Sequence, residues 1–296
     1  MSESIYAGKP ELFNEYLKWA KIFFANLSVS DEDIILNLEL LKEALAAKLP
    51  PEMNAITSNF INEGIAAYKS QPKIPSSYID DFNPNRVSAE NYLNYLIMGE
   101  KKAAYDLIMS DVNNGVSIRD IYLNIFQVTQ RETGRLWQMN KISVAQEHYI
   151  TAVTQLIMSQ LYPFLFTGQN NGKRIIVSCI NGELHELAPR MVADLFELDG
   201  WNSYFYGANT PQESLIKEIA SIKPDLLAIS ATMTFNLLHV EELIKKVKNN
   251  PETKDIKIFV GGYPFLIAEG LWKDMGADGT AIDALSAIEL ANQLTN

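Results

Sequence analysis

Residues 174–188 read RIIVSCINGELHELA and dominate the interpretation of the second half of the chain. The apolar run at residues 175–177 is short and continuous, which is typical of a strand buried on both faces of a parallel sheet. A glycine turn follows at Gly182, and an imidazole, His185, comes two residues after a carboxylate, Glu183. The stretch therefore predicts a buried strand that ends in a polar loop.

Three more apolar runs follow, at residues 204–206, 226–229 and 258–260, and a weaker fifth strand is predicted near residues 279–282. Helical patterns lie between them, at residues 185–198, 213–221, 237–248 and 264–274. Alternating strands and helices predict an α/β fold, a Rossmann-like (flavodoxin-like) five-stranded parallel sheet. Ligands of such sheets bind beyond the carboxyl ends of the strands, so the loops after the strands are the candidate site.

The chain before this sheet is predicted to be helical. Residues 10–68 show three amphipathic helices, with Ser30 and Asp33 at the spacing of a helix cap, and the prolines of residues 70–85 indicate a linker. Four more helices, expected to form a bundle, are predicted at residues 89–98, 101–112, 118–138 and 144–165. We therefore predict three regions: an N-terminal helical extension at residues 1–72, a four-helix bundle at 85–168 and the sheet domain at 172–296.

Composition excludes several classes of function. The chain of 296 residues has 25 Lys and Arg against 36 Asp and Glu, a net charge of −11, which argues against attraction to DNA or to anionic membranes. The single cysteine, Cys179, excludes an intramolecular disulfide and indicates a reducing compartment. Because neither a secretory signal nor a membrane-spanning apolar run is evident, we expect a cytoplasmic location.

Three of the loops after the strands carry candidate binding residues. Glu183 can accept a hydrogen bond from one ring nitrogen of His185 and so fix the tautomer that presents the other nitrogen to a metal. Ser230 and Thr232 follow the third strand and offer hydroxyl groups. The pair Gly261-Gly262 follows the fourth strand and leaves room for a bulky ligand close to the backbone.

These residues resemble the signature of the cobalamin-binding domain family, in which Asp, any residue, His, two further residues and Gly follow one another, with a Ser loop and a Gly-Gly loop at later strand ends. The resemblance implies that Glu183 replaces the aspartate and that His185 is the lower ligand of cobalt. It places Ser230, Thr232 and Gly261-Gly262 beside the nucleotide tail of the cofactor. The sequence departs from the signature at Ala188, where the family has glycine, which leaves the effect of the methyl group on binding open.

A second group of residues lies in the predicted bundle: Trp137, nine residues, and then Glu147-His148. This spacing is similar to that of the CarH-type light-sensing regulators, in which a helical bundle caps the upper face of adenosylcobalamin. The resemblance implies that Trp137 packs on the adenosyl group and that Glu147 contacts its ribose. It also implies that His148 takes the upper cobalt position after light has cleaved the cobalt–carbon bond, which makes the chain a sensor and not an enzyme.

The N-terminal extension differs from those regulators, because it is acidic and lacks a basic recognition helix, so we expect no direct DNA binding. It resembles the photocobilins, stand-alone photoreceptors that pair cobalamin with a bilin. The resemblance makes biliverdin a candidate second cofactor, without a thioether link. The expected partners are further copies of the chain or a downstream signalling protein. Five aromatic residues could wall the bilin: Phe13, Tyr16, Trp19, Phe23 and Phe24.

Several alternatives stay open at this point. A corrinoid methyl-carrier protein has a similar bundle and sheet, although Trp137 and His148 would obstruct delivery of a methyl group. A haem-binding sensor is a second alternative, favoured by Ala188. A structural role is a third, with His185 capping the next helix and Gly261-Gly262 forming a turn. His239 is predicted to be structural, and a cobalamin-dependent mutase is disfavoured because no catalytic barrel is evident.

Overall fold

A computed structural model describes residues 1–166 and 170–295 of the chain. It divides into two compact units: the sheet unit, made of Met1–Leu12 with Leu165–Asn296, and the helical unit, Phe13–Phe164. The division into a helical extension, a bundle and a sheet domain stays a prediction. Its limits at Gly168 and Asn296 lie outside the described residues.

The three helices predicted for residues 10–68 are confirmed, and a short helix precedes them. The hydroxyl of Ser30 accepts the backbone N–H of Asp33 at the start of the second predicted helix, and Pro51 occupies the first turn of the third, where its missing N–H costs nothing. The helices are α1 (Ser2–Tyr6), α2 (Pro10–Ala25), α3 (Asp31–Ala46) and α4 (Pro51–Ser70).

The predicted linker contains no helix or strand between α4 and residue 86, and a buried ion pair holds it. Glu132 accepts the backbone N–H of Tyr78 at 3.0 Å, and Arg135 donates to Glu132 and to the carbonyl of Pro75 at 3.1 Å. Burial alone would raise the pKa of Glu132, but hydrogen bonds from Arg135 and the Tyr78 N–H lower it below its usual value. A charged Glu132 therefore fixes the linker.

The four helices predicted for residues 89–165 are confirmed, with two interruptions. Seven residues of the third, Ile121–Gln127, form a π-helix, a local widening that periodicity does not reveal. The fourth ends at Gln160, and a short helical turn follows after Leu161. The helices are α5 (Arg86–Ile97), α6 (Lys101–Asn113), α7 (Ile118–Asp120), the π-helix, α8 (Val128–Gln138), α9 (Val144–Gln160) and α10 (Tyr162–Leu165).

Residues 170–295 contain a parallel sheet of four strands in the order β2-β1-β3-β4. The strands are β1 (Arg174–Cys179), β2 (Asn202–Phe205), β3 (Leu226–Ser230) and β4 (Lys257–Gly261). The register places Cys179 beside Ser230 and Ser230 beside Gly261, so the ends of three strands are aligned. The strand order reverses between β1 and β3, and the loops at such a switch point bound a ligand crevice.

The predicted fifth strand is wrong. Gly279 makes one isolated parallel bridge with Phe259, and Asp278 is held by the N–H of Ile258 and by Lys248. The chain then leaves the sheet, because Asp283 already caps the next helix by accepting the N–H of Ser286. Too few residues remain between the bridge and this cap to form a strand.

The helices that follow the strands differ from prediction at two places. The helix predicted from residue 185 begins at Leu187, and the one predicted at residues 264–274 is broken in two before Gly270, which has a positive φ of 75°. The helices are α11 (Leu187–Leu198), α12 (Gln212–Ile222), α13 (Leu237–Asn249), α14 (Tyr263–Ile267), α15 (Leu271–Asp274) and α16 (Ala284–Leu294), and a 3-10 turn, Thr234–Asn236, precedes α13. None of the described helices is long and apolar enough to span a membrane.

Candidate functional site

The loop after β1 is fixed by hydrogen bonds from neighbouring loops. The side-chain oxygen of Asn209 accepts the N–H of Gly182 at 2.9 Å, and the backbone N–H of Asn209 donates to the carbonyl of Glu183 at 2.9 Å. His239 contributes a ring nitrogen 3.2 Å from the carbonyl of Asn181. His239 therefore supports this loop, consistent with the structural role predicted for it.

The carboxylate of Glu183 lies at the centre of the loop and is 1% exposed. One oxygen, Oε1, accepts the backbone N–H groups of Leu184 and His185 at 3.0 and 3.1 Å and lies 2.5 Å from Nδ1 of His185. The other oxygen, Oε2, accepts the backbone N–H groups of Thr232 and Met233 at 2.8 and 3.0 Å. The amide of Asn236 also donates to Oε2, at 3.2 Å. Glu183 therefore ties the loop after β1 to the loop after β3.

These hydrogen bonds keep Glu183 charged. Burial alone would raise the pKa of the carboxyl group, but the hydrogen bonds from the His185 ring and from backbone N–H groups lower it to about 2. A charged carboxylate beside Nδ1 favours the proton on that nitrogen, so Nε2 carries the lone pair. The pair therefore has the arrangement typical of a metal-binding histidine and the carboxylate that orients it.

The side chain of His185 is 60% exposed although its partner is buried. It does not cap α11, because Glu186 occupies the position before that helix, so the helix-capping interpretation is wrong. Large apolar side chains are also exposed in the segments that follow β1, β3 and β4, both in the loops and in the first turns of the next helices, where contact with water would favour polar ones. They are Leu184, Met233, Phe235, Leu238, Tyr263 and Leu266.

Gly261, the last residue of β4, and Gly262, which follows it, serve different purposes. Gly262 has φ +105°, and a Cβ there would lie 2.1 Å from the carbonyl oxygen of Ala231, so the fold itself requires a glycine. A Cβ on Gly261 would meet no atom within 4 Å. Gly261 therefore borders open space at the end of the sheet, next to Ser230 in the register.

Within the described part of the chain, the hydroxyl groups of two other predicted residues, Thr232 and Ser230, make no hydrogen bond with Glu183. The backbone N–H of Thr232, and not its hydroxyl, makes the contact with Glu183. Ser230 is half-buried at the end of β3, where its carbonyl accepts the N–H of Ile180 at 3.0 Å. Ala188 is exposed in the first turn of α11.

In the helical unit, Trp137 packs in an aromatic cluster with residues of α2. Its ring centroid lies 6.0 Å from that of Trp19 and 5.9 Å from that of Phe23, and Tyr16 and Phe24 extend the cluster at 6.3 and 5.7 Å from their neighbours. Of the five aromatic residues predicted to wall a bilin, Phe13 is a core residue, 5% exposed. The other four form this cluster on Trp137.

Glu147 and His148 lie in the first turn of α9. Nδ1 of His148 is 2.5 Å from Oε2 of Glu147, and the His148 side chain is 76% exposed. Thr151 lies within hydrogen-bond distance of Oε1 of Glu147 and of Gln130. Glu147 is therefore held in place by α8 and α9 while His148 faces outward.

Sequence reasoning missed the residues that position the predicted ones. Asn236 is buried and reaches Glu183 across 53 residues, and Asn209 reaches the same loop from the end of β2. Gln130 contacts the hydroxyl of Thr151, which in turn contacts Glu147. Each asparagine follows a strand, which is a weak signal, and only the fold brings them to the site.

The sheet unit fits a corrin-bound metal. An exposed imidazole with its second nitrogen held by a buried carboxylate supplies an axial ligand, and exposed apolar side chains suit the face of a large macrocycle. The open space at Gly261 leaves room for an attached group close to the strand ends. The residues at the strand ends would therefore fit a large metal-containing ligand.

Comparison with known proteins agrees with this. Residues 173–289 match the model of the B12 binding domain, and residues 88–162 match a second model with the same description. A corrinoid protein of Desulfitobacterium hafniense (strain Y51) is 28% identical over 128 residues, 43% of this chain and 57% of its own length. The dimethylamine corrinoid protein 1 of Methanosarcina mazei is 26% identical over 121 residues, 40% of this chain and 55% of its own length. The matched region therefore spans little more than half the length of these curated relatives.

The structure of the Methanosarcina barkeri monomethylamine corrinoid protein superposes with a TM-score of 0.63 at 21% identity, covering 71% of this chain and 99% of that one. This likeness confirms the order of a helical region followed by a Rossmann-like sheet. With the two domain matches, the fold and the site define a cobalamin-binding class of domain within this chain. More particularly, it carries a B12 binding domain preceded by a helical B12 binding domain.

Proposed function

We propose that this chain is a corrinoid carrier protein in which His185 is the lower ligand of cobalt. The contact between the buried, charged Glu183 and the exposed ring of His185 is the observation that carries the proposal. A histidine with a purely structural role would be expected to bury its ring along with its partner. Here a buried carboxylate, held by five further hydrogen bonds, directs one oxygen at the ring of an exposed imidazole.

A bound corrinoid supplies a cobalt–carbon bond that can be formed and broken. The residues of this chain would hold and tune that cofactor: His185 binds the metal through Nε2, and Glu183 retains the proton on Nδ1. Gly261 leaves space for the nucleotide tail, and the side chains of Ser230 and Thr232 would contact it. Glu183, as a charged acceptor, makes the imidazole a stronger donor to the metal.

A methyl group is the cargo that the relatives support, since similar proteins are named as dimethylamine and monomethylamine corrinoid proteins. In this function the chain is not itself an enzyme. It presents the methyl group to partner methyltransferases, and neither the methyl donor nor the acceptor is specified by this chain's own residues.

The test is to load the protein with methylcobalamin in darkness and to transfer its methyl group to an added thiolate, which becomes a thioether and leaves cobalt(I) in the cofactor. Methyl iodide then restores the methyl group with release of iodide, and absorption spectra follow both steps. A carrier is expected to pass through repeated cycles with the cofactor retained. Release of the cofactor in the first cycle, or failure of methylcobalamin to bind, contradicts the carrier function. His185→Ala should weaken retention, whereas Lys254→Ala, at an exposed position of the same unit away from the loop of His185, is the control.

A second candidate function, light sensing with adenosylcobalamin, is favoured by a specific observation. Trp137 is held by Trp19 and Phe23, and next to the α8–α9 turn Glu147 holds an outward-facing His148. These are the features that the resemblance to the CarH-type regulators uses. In this function Trp137 and Glu147 would contact the adenosyl group, and His148 would take the upper cobalt position after photolysis.

Green light distinguishes the two functions. Protein loaded with adenosylcobalamin in darkness should show a lasting spectral change on illumination if it is a sensor, and His148→Ala should alter the product spectrum. A product spectrum that is the same in His148→Ala and in the wild type contradicts the role of His148. If the protein merely releases the cofactor on illumination, so that the spectrum becomes that of photolysed cobalamin free in solution, the sensing function is wrong.

The remaining cofactor and partner predictions are tested on the same preparation. Added biliverdin should give a red-absorbing species that Trp19→Ala removes if the aromatic cluster binds a bilin, and no such species if it does not. Haem would show its own absorption bands in the purified protein. Size measurements in darkness and light would test the predicted homo-oligomer.

A further inference from the structure

Residues 1–12 pack on the sheet unit, beside the loop that holds Glu183. Helix α1 contacts the 3-10 turn Thr234–Asn236. Leu12 is 2% exposed and belongs to the apolar core of the unit together with Ile180 and Leu237, which flank the two loops of the site. The segment is therefore an integral part of this unit.

Two polar anchors fasten the segment on either side. The hydroxyl of Tyr6 donates to Oε2 of Glu241 in α13 at 2.7 Å. Nζ of Lys9 donates to the carbonyl of Glu269 at 2.7 Å and lies 3.1 Å from Asp274. The Lys9 side chain is 19% exposed and that of Asp274 is 59% exposed, so water partly screens the ion pair. The anchors tie α1 to the helices that follow β3 and β4.

The turn that α1 contacts belongs to the loop that supplies half of the hydrogen bonds to Glu183. Asn236 is the last residue of the turn, and the N–H groups of Thr232 and Met233 come just before it. All three donate to Oε2, while Oε1 of Glu183 faces His185. A displacement of the turn would therefore remove donors from one oxygen and free the carboxylate to rotate away from the imidazole.

We infer that residues 1–12 are a positioning element for His185, acting through the Thr234–Asn236 turn and Glu183. By bracing the turn, the segment keeps the carboxylate aimed at Nδ1 and so strengthens ligation of cobalt. The inference rests on the proposed corrinoid function of His185, but its first link, the bracing of the turn, can be measured without any cofactor.

The test uses the double variant Tyr6→Phe/Lys9→Met, which removes both anchors and keeps the apolar core. The matched control is Tyr206→Phe/Lys246→Met, which removes a Tyr–Glu218 hydrogen bond of 3.0 Å and a Lys–Glu213 ion pair of 2.9 Å elsewhere in the same unit. Two quantities are measured: hydrogen exchange at the N–H groups of Thr232 and Met233 in cofactor-free protein, and the Kd of hydroxocobalamin.

The double variant is expected to exchange these two N–H groups faster than wild type and to bind hydroxocobalamin roughly threefold to tenfold more weakly, while the control resembles wild type. Unchanged exchange at Thr232 and Met233 would overturn the inference that residues 1–12 brace the turn. Faster exchange with an unchanged Kd overturns their role in positioning His185. If wild type itself does not bind hydroxocobalamin, the proposed function fails, whereas the exchange result still tests the brace. Should the double variant unfold, Tyr6→Phe alone is measured, with the same expectations at smaller size.

Discussion

Oε1 of the buried Glu183 lies 2.5 Å from Nδ1 of the exposed His185. The two partners are in opposite environments, and the backbone and Asn236 donors on the carboxylate compensate for its burial. The carboxylate therefore remains charged while it holds the ring in one orientation.

The first prediction concerns acid stability. The pKa of Glu183 is lowered from 4.5 to about 2 in the folded protein, so its contribution to the free energy of unfolding is complete above about pH 4.5. It is lost as the pH falls toward 2, and amounts to roughly 3 kcal/mol. The difference in unfolding free energy between wild type and Glu183→Gln should therefore shrink by this amount across that range. A difference that does not vary with pH would contradict it, and Glu43→Gln, at an exposed position, is the control.

The second prediction separates the two glycines after β4. Gly262→Ala should cost roughly 3 kcal/mol or more of unfolding free energy, because the new methyl group meets the Ala231 carbonyl in a backbone conformation with positive φ. Gly261→Ala should change stability by less than about 1 kcal/mol but weaken hydroxocobalamin binding. Urea unfolding and cofactor titration measure the two effects. Equal stability losses would show that Gly261 does not border open space, and unchanged binding in Gly261→Ala would show that the cofactor does not use this space.

The third prediction concerns Leu12, which lies in the core of the sheet unit although it is distant from it in sequence. Leu12→Ala should destabilise this unit by about 2–5 kcal/mol through the cavity it creates. Hydrogen exchange resolved by segment should show faster opening of the sheet strands than of α5 and α9. Faster opening confined to the helical unit would show that Leu12 does not stabilise the core of the sheet unit. Leu36→Ala, at an exposed position of α3, provides the comparison.

The fourth prediction concerns the aromatic cluster. Trp19→Ala should lower the unfolding free energy by about 1–3 kcal/mol, because Trp19 packs on both Phe23 and Trp137. Tyr16→Ala, at the exposed end of the cluster, should have a clearly smaller effect. Denaturant unfolding followed by circular dichroism measures both. Equal effects of the two changes would mean that contact with Trp137 adds no stability.

Much of the fold could be predicted from sequence because local patterns determine it. The helices of residues 10–165 and the four strands follow from apolar periodicity, prolines and caps such as Ser30. The fifth strand failed because the same short apolar pattern serves a single bridge at Gly279 when a helix cap follows at once. The π-helix within residues 118–138 leaves the apolar pattern helical and so has no local signal.

The residues of the candidate site could likewise be predicted only in part. Glu183 and His185 could be recognised because both lie in one loop, and the structure places them in contact. Asn236 and the segment 1–12 could not, since their contacts join residues far apart in the chain. The comparisons with corrinoid proteins support the cofactor but not the light-sensing subgroup that Trp137, Glu147 and His148 suggested, and their roles stay a prediction.

The central claim is that the imidazole of His185 binds cobalt. The direct measurement is electron paramagnetic resonance of the protein loaded with cobalamin and reduced to the cobalt(II) form, with natural and 15N-labelled histidine. In wild type we expect a nitrogen coupling from an axial imidazole that changes with the label, whereas any nitrogen coupling in His185→Ala, such as one from the cofactor's own base, should be insensitive to the label. A coupling that is insensitive to the label in wild type, or one that still changes with the label in His185→Ala, would contradict the account.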